Sequence, residues 1–202
     1  MPSYTDFTGL GGIAVALAAL AVSLAPRARL SGGQRALLFA GVALASLLPL
    51  GGLPLAAYVR GASGDLSLTT LTLLLLGVFG AAFPAASGRE RLALQLGILL
   101  ASLALYPLAL GLGMFDPYRL GYGHPGFMAG LLLLALASWF WRFYLPAFCL
   151  ALAVLAWRVG WYESGNLWDY LLDPLLAVYA GGALLRRGIA ALRGHGQTRQ
   201  TQ

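Results

Sequence analysis

Long apolar segments alternate with short polar ones along almost the whole chain. Leu10–Ala25, Leu68–Ala82 and Leu92–Leu112 are apolar on every side and nearly free of charge. A helix needs about 20 mostly apolar residues to cross the hydrocarbon of a bilayer, where the backbone must satisfy its own hydrogen bonds. Because a transmembrane barrel would alternate in polarity along each strand, the pattern predicts an all-α, polytopic bundle of membrane-spanning helices.

The apolar pattern predicts about seven transmembrane helices, with six as the alternative. The predicted spans are residues 8–25, 36–58, 67–86, 92–113, 126–141, 144–159 and 167–185. The alternative concerns 139–144, an aromatic stretch around Arg142. It is either the interfacial tip of a hairpin, which its aromatic residues favour, or a buried segment that would merge two spans. We therefore predict one integral-membrane domain, 1–185, followed by a basic tail, 186–202.

Two local features modify this picture. The second span is interrupted by Pro49-Leu-Gly-Gly-Leu-Pro54, which indicates a kink near the interface or, alternatively, a cavity that opens outward. The segments that begin at Ser31 and Ser87 resemble each other at a constant offset of 56 residues. This resemblance indicates either a duplicated helical hairpin or only a shared composition with a similar basic start.

The charges are sorted between the two ends of the predicted spans. Ten of the 13 arginines lie in one set of loops together with Glu90, and the other set holds three arginines and six acidic residues. Cytoplasmic loops carry an excess of basic residues, so the N-terminus is predicted outside and the C-terminus in the cytoplasm. Since the first segment has no basic start, we expect an uncleaved anchor rather than a signal peptide.

Composition narrows the class of protein further. Arginine is used without any lysine, and Ala, Leu and Gly are abundant, which is typical of a GC-rich bacterial source and predicts the bacterial inner membrane. Despite the net charge of +6, we expect no nucleic-acid partner, because the arginines flank spans instead of forming a soluble basic domain. The single cysteine, Cys149, lies in an apolar segment and excludes an internal disulfide.

The common signatures of catalysis are absent from the sequence. There is no HExxH, GxSxG or Walker sequence, and the absence of lysine excludes a Schiff base. We expect no cofactor, and no residue is assigned to a metal. Whether the chain is an enzyme stays open at this stage.

Nearly all remaining polar residues lie in three predicted outer loops, 60–67, 115–125 and 161–174. The candidates for catalysis are Asp116, His124, Glu163, Asp169 and Asp173. The candidates for ligand binding are Asp65, Tyr118, Arg119, Asn166 and Trp168. Together they would form an acidic and aromatic outer face if the three loops converge.

Each candidate also has a purely structural interpretation. Asp65 can cap the helix that follows it, Asp116 precedes a proline in a first turn, and Asn166 with Asp169 resembles a capping box. In the chemical interpretation, a carboxylate pairs with His124 or Tyr118 for acid–base work, and Arg119 holds the phosphate or carboxylate of a lipid headgroup. A metal site would require Asp116, His124, Glu163 and Asp169 to converge, which their spacing does not demand.

Asp173 fits the structural interpretation least well. If the last helix starts near Leu167, Asp173 lies about 9 Å further along it, within the membrane boundary, where a carboxylate is a functional candidate. Pro174 would then kink the helix. In the alternative, a short helix ends at Leu172 and Asp173 caps a separate segment. We favour the kinked helix, because that separate segment would keep only about 12 apolar residues.

Three functions are compatible with these patterns. The leading hypothesis is an accessory or binding subunit whose acidic and aromatic periplasmic face engages a partner protein or a lipid headgroup. The first alternative is a membrane-embedded enzyme that acts on a lipid-linked envelope substrate at the periplasmic interface. The second is a proton- or cation-coupled permease with Asp173 as the coupling carboxylate.

Overall fold

The computed structural model describes residues 4–26, 30–80 and 86–198, and the regular secondary structure within them is helical apart from one small hairpin. The helices are α1 (Tyr4–Leu24), α2 (Gly32–Ser46), α3 (Leu55–Ser63), α4 (Leu68–Phe79), α5 (Gly88–Ala109), a 3-10 helix (Pro117–Gly121), α6 (Pro125–Phe140), α7 (Tyr144–Arg158), α8 (Trp168–Leu171) and α9 (Pro174–Thr198). The strands are β1 (Pro49–Leu50) and β2 (Leu53–Pro54). The predicted all-α class is confirmed.

Three helices are long and apolar enough to cross a membrane: α1, α5 and the Pro174–Arg193 part of α9. The helices α4, α6 and α7 are apolar but shorter, and the predicted span 67–86 includes residues 81–85, which lie outside the described part of the chain. Three such helices indicate a membrane protein. The count of seven spans and their orientation stay predictions.

The second predicted span, 36–58, is not one kinked helix, and that prediction is wrong. Helix α2 ends at Ser46, and β1 pairs with β2 in an antiparallel hairpin before α3 begins. The turn contains Gly51 and Gly52 with φ of +68° and +108°, values that residues with a side chain rarely adopt. The two flanking prolines lack the N–H that a continuous helix would need, so the segment reverses direction instead of bending.

The resemblance between the segments at Ser31 and Ser87 has a local cause. Both serines cap a helix. The hydroxyl of each serine accepts a hydrogen bond from the backbone N–H three residues on, and the side chain of that residue, Gln34 or Glu90, accepts one from the serine N–H. These are capping boxes, which a Ser-x-x-Gln/Glu spacing predicts and which the sequence analysis missed. The shared cap explains this local likeness without a duplication.

Helices α6 and α7 form a tight hairpin around Arg142. The turn between them spans only residues 141–143, and Arg142 is exposed with φ of +60°. The rings of Trp139 and Tyr144 meet edge to face across the turn, 5.2 Å apart. The hairpin interpretation of this aromatic stretch therefore fits, and the merged single span does not.

The predicted kinked helix over 167–185 is also wrong. Helix α8 has only four residues, and Leu172 is extended, with φ of −136° and ψ of +147°. A proline disfavours helical backbone in the residue before it, so α9 starts anew at Pro174 with Asp173 as its cap. The separate helix is long enough because α9 continues without a break into 186–198, the segment predicted as a tail.

The core has one large part and two small parts, one of which consists of Ala19, Val22 and Val78 on α1 and α4. The large part lies among α4, α5, α7, α8 and α9, and it includes fully buried Ala153, Tyr170 and Ala180. The other small part joins α1 to α3 and α4 around Ile13. Small residues such as Ala153 and Ala180 allow helices to pack closely, which drives helix association in membranes.

Candidate functional site

The three predicted outer loops pack together, and we call them the loop cap: residues 60–67, 115–125 and 161–173. The third loop contacts both others. The Tyr162 hydroxyl donates to the Leu66 carbonyl at 2.8 Å, and the Asn166 side-chain amide donates to the Tyr118 carbonyl at 2.9 Å. A backbone bond from Leu167 to Gly121, 2.9 Å long, adds to the second contact. The loops therefore converge, with 161–173 in the middle.

Arg60 gathers three carboxylates, and we call this group the Arg60 cluster: Asp6, Arg60, Asp65 and Glu163. Its guanidinium nitrogens lie 2.6 and 3.0 Å from the two oxygens of Asp65, 3.4 Å from Asp6 and 3.9 Å from Glu163. The hydrogen bonds that Arg60 donates to Asp65 raise the pKa of Arg60, although partial burial acts in the opposite direction. One cation among three anions leaves a formal charge of −2.

Two features of the surrounding chain make the Arg60 cluster possible. A Cβ on Gly9 would lie 2.5 Å from an oxygen of Asp65 and 2.6 Å from the Arg60 guanidinium carbon, so glycine in α1 leaves room for the pair. The cap of α4 is Ser67, whose hydroxyl accepts from the Thr70 N–H at 3.1 Å. The predicted cap role of Asp65 is therefore wrong: Ser67 directly precedes the helix, which leaves Asp65 to pair with Arg60.

Asp169 is held by side chains from two loops. It accepts hydrogen bonds from the Tyr118 hydroxyl, at 2.9 and 3.1 Å to its two oxygens, and from the Ser164 hydroxyl. Burial, together with the hydrogen bond to this carboxylate, raises the pKa of Tyr118. The predicted capping box of Asn166 and Asp169 is wrong. The Asn166 side chain accepts a hydrogen bond from the Trp168 N–H, at 3.0 Å, and not from the N–H of Asp169.

Asn166 and Trp168 fasten the 3-10 helix to the third loop. A Cβ on Gly121 would lie 1.8 Å from the side-chain oxygen of fully buried Asn166 and 2.8 Å from a ring carbon of Trp168. The indole N–H of Trp168 donates to the Pro117 carbonyl at 3.0 Å. These two ligand-binding candidates are therefore occupied by contacts within the protein.

A pair of tyrosines, absent from the candidate residues, stabilises the third loop. The rings of Tyr162 and Tyr170 lie 5.1 Å apart, and the Tyr170 hydroxyl accepts from the Tyr162 N–H at 3.0 Å and donates to the Ser164 carbonyl at 3.0 Å. Burial raises the pKa of Tyr162. A spacing of eight residues in an aromatic loop carries no signal for this contact, which explains why sequence reasoning missed it.

Asp173 joins two helix N-termini. One of its oxygens accepts from the N–H and the hydroxyl of Ser67, at 3.0 and 2.7 Å, and from the Thr70 hydroxyl. The other oxygen accepts from the Leu176 N–H at 2.8 Å. Helix N-termini favour negative charge, and here a buried carboxylate serves α4 and α9 at once. Asp173 is a structural joint between helices, whereas the sequence predicted it within a span.

The remaining candidates lie at separate caps. Asp116 accepts from the Tyr118 N–H at 2.9 Å at the start of the 3-10 helix, which confirms its predicted cap role. His124 is exposed and caps α6 by accepting from the Gly126 N–H at 3.2 Å. Arg119 is exposed. Across residues 4–26, 30–80 and 86–198, no three His, Cys, Asp or Glu side chains form a group that could hold a metal ion.

Accessible acidic and aromatic side chains lie where the start of α1 meets the third loop, and we call them the acidic–aromatic patch: Tyr4, Asp6, Phe7, Trp161 and Glu163. The Thr8 hydroxyl donates to the Trp161 carbonyl, and a Cβ on Gly160 would lie 3.2 Å from the Tyr4 hydroxyl, so the start of α1 contacts the third loop. The side chains of Asp6 and Glu163 are 35% and 59% exposed. The patch can therefore offer negative charge beside accessible aromatic rings.

Comparison with known proteins does not indicate a function for this chain. A scan against protein-family models found no match for this chain, and searches of curated proteins and of solved structures found none either.

Proposed function

We propose that the protein is a small polytopic protein of the bacterial inner membrane that acts as an accessory, binding subunit. The loop cap then lies in the periplasm, and the C-terminal end of α9 lies in the cytoplasm. The sorting of ten arginines to the opposite set of loops supports this orientation. We count α2, α4, α6 and α7 as further crossings beside the three long helices, because each joins a predicted inner loop to a predicted outer one.

The observation that carries the proposal is the excess negative charge of the Arg60 cluster beside exposed aromatic rings. Tyr4, Phe7 and Trp161 are 65%, 64% and 44% exposed. Aromatic faces attract arginine and lysine, and nearby carboxylates attract them further. A basic segment of a partner protein is therefore the ligand that this chemistry favours. An anionic lipid headgroup is disfavoured, since its phosphate would be repelled by the surplus carboxylates.

The two other hypotheses gain less support. For the enzyme, Tyr118 does pair with the Asp169 carboxylate, at 2.9 Å, but Asp116 and His124 are engaged in separate caps, so the candidate residues do not form one catalytic group. For the permease, Asp173 would have to release hydroxyl donors from Ser67 and Thr70 in order to bind a cation. A binding surface requires neither change.

Site-directed photocrosslinking tests the proposal. A benzoylphenylalanine at Trp161 should crosslink one membrane protein in native membranes, at a basic segment that peptide mapping can identify. The matched control is the same probe at Tyr122, an aromatic residue of the loop cap that is 63% exposed and lies outside the acidic–aromatic patch. Crosslinks to lipid alone at Trp161, or equal protein crosslinks at both positions, would contradict a protein-binding patch.

A further inference from the structure

Helix α5 carries buried polar atoms that have no partner. In the part of the chain that the structure describes, the buried side-chain atoms without a hydrogen-bond partner are the side-chain oxygen of Gln95 and the hydroxyl oxygens of Ser102 and Tyr106. Gln95 is 7% exposed and Ser102 3%. Buried polar groups almost always have hydrogen-bond partners, so three exceptions on one helix require an explanation.

The three residues form a line on one side of the helix. Their spacings of seven and four residues place them within about 40° of one another around the axis, and they extend over about 16 Å of a bilayer core of about 30 Å. Leu100 and Leu103, which are 65% and 60% exposed, lie on other sides of α5. The polar line therefore faces the protein interior.

The neighbouring helices cannot supply partners from their buried side chains. Helix α5 packs mainly against α9 and α7. The buried residues on α9 are Leu176, Ala180 and Ala183, and those on α7 are Leu145, Pro146, Ala147, Cys149, Ala153 and Ala156. Apart from the weakly bonding thiol of Cys149, these side chains bear no hydrogen-bonding group. Buried water is the usual partner of polar groups that no side chain in the interior satisfies.

The line ends near the loop cap. Helix α5 contacts the 3-10 helix Pro117–Gly121, which belongs to the loop cap. Pro107 follows Tyr106 inside the helix and removes one backbone hydrogen bond there. This end of the polar line is therefore the one next to the loop cap.

We propose that the side of α5 that bears Gln95, Ser102 and Tyr106 binds a chain of water molecules within the membrane-spanning part of the protein, continuous with the loop cap. Water matches the chemistry, because the Gln95 oxygen needs a donor while the two hydroxyls both donate and accept. The line itself is uncharged, so it favours a neutral ligand. This hydrated line is independent of the binding role proposed for the acidic–aromatic patch.

Cysteine reactivity tests the proposal, because a thiol reacts as the thiolate, which forms readily only in contact with water. In protein reconstituted in nanodiscs, C149A/S102C is treated with aminoethyl methanethiosulfonate. The wild type supplies an apolar control through its native Cys149, which is 2% exposed, and C149A/L100C supplies a lipid-facing control. We expect modification of S102C at least tenfold faster than either control. A rate equal to that of Cys149 would overturn the proposal.

A second measurement covers the case in which S102C does not fold. Ser102→Ala and Tyr106→Phe each remove one hydroxyl with little change in shape. If water satisfies these groups, both variants lose hydrogen bonds and their Tm falls or stays level. If the groups are dry and unsatisfied, removing them relieves a penalty, and a higher Tm in both variants would refute the hydrated line.

Discussion

The loop cap and the polar side of α5 differ in whether their polar groups have hydrogen-bond partners. In the cap, Asp65, Asp169 and Asp173 each accept hydrogen bonds from other side chains or from the backbone. On α5, three polar atoms lie in the apolar interior without a partner. The difference teaches that carboxylates with partners inside the protein mark architecture, whereas neutral polar atoms without a partner inside a span mark a place where a ligand is needed.

The largest effect is expected at Asp173. Asp173→Ala leaves the Ser67 and Thr70 donors and the Leu176 N–H unsatisfied inside the protein, at a cost of about 1–3 kcal/mol for each group. We expect loss of folded protein, measured by the yield of monodisperse material after detergent extraction. Asp173→Asn keeps one acceptor oxygen and should be intermediate. Normal yield and Tm in Asp173→Ala would show that the cap does not depend on this joint.

A smaller but still clear effect is expected at Gly121. Gly121→Ala places a methyl group 1.8 Å from the Asn166 oxygen, so the 3-10 helix must separate from the third loop at a cost of about 1–3 kcal/mol. The control is Gly130→Ala on α6, where a Cβ meets no atom within 4 Å. The first variant should lower the Tm and the second should not. Equal Tm values would mean that the loops are not packed as closely as described.

The tyrosines of the cap predict sensitivity to alkali. The pKa of Tyr118 is raised in the folded protein, so the stability it contributes is complete below its ordinary value of about 10 and is lost as the pH rises through the folded value. Tyr118→Phe should lose about 1 kcal/mol at neutral pH, where the bond to Asp169 is absent, and should show a shallower fall in Tm above pH 10. Parallel curves for both proteins would contradict this.

The smallest effect on folding is expected in the acidic–aromatic patch. Glu163 is largely exposed and 3.9 Å from Arg60, so Glu163→Gln should change stability by less than about 1 kcal/mol. Crosslinking to the partner from Trp161 should nevertheless fall several-fold, because an accessible charge is lost. Arg119→Gln, an exposed charge outside the patch, is the control and should leave crosslinking unchanged. Loss of folding in Glu163→Gln would assign that residue to the architecture instead.

Much of the fold follows from patterns that are local in sequence. Apolar length predicts α1 and α5, and the cap at Asp116 and the hairpin around Arg142 follow from short-range chemistry. The last helix was mispredicted because two local preferences compete at Leu172 and Asp173. The helix does not continue through this point, because Pro174 disfavours helical backbone in the residue before it. Helix α9 is long because it includes residues that were predicted as the tail.

The candidate site was harder to predict, because its outcome depends on contacts between distant residues. Asp65 pairs with Arg60 next to Gly9 on another helix, where a side chain on α1 would lie within 2.6 Å of both partners. The significance of Gln95 depends likewise on the apolar character of the buried residues on α7 and α9. No spacing within one segment carries that information.

Native mass spectrometry of the protein, extracted gently from its own membrane, tests the central claim most directly. We predict a stoichiometric partner protein that stays bound at low salt and dissociates as the ionic strength rises, since exposed charge pairs are screened. Glu163→Gln should reduce the bound fraction. A chain that emerges alone, or with lipid as its sole companion, at every salt concentration would contradict the account.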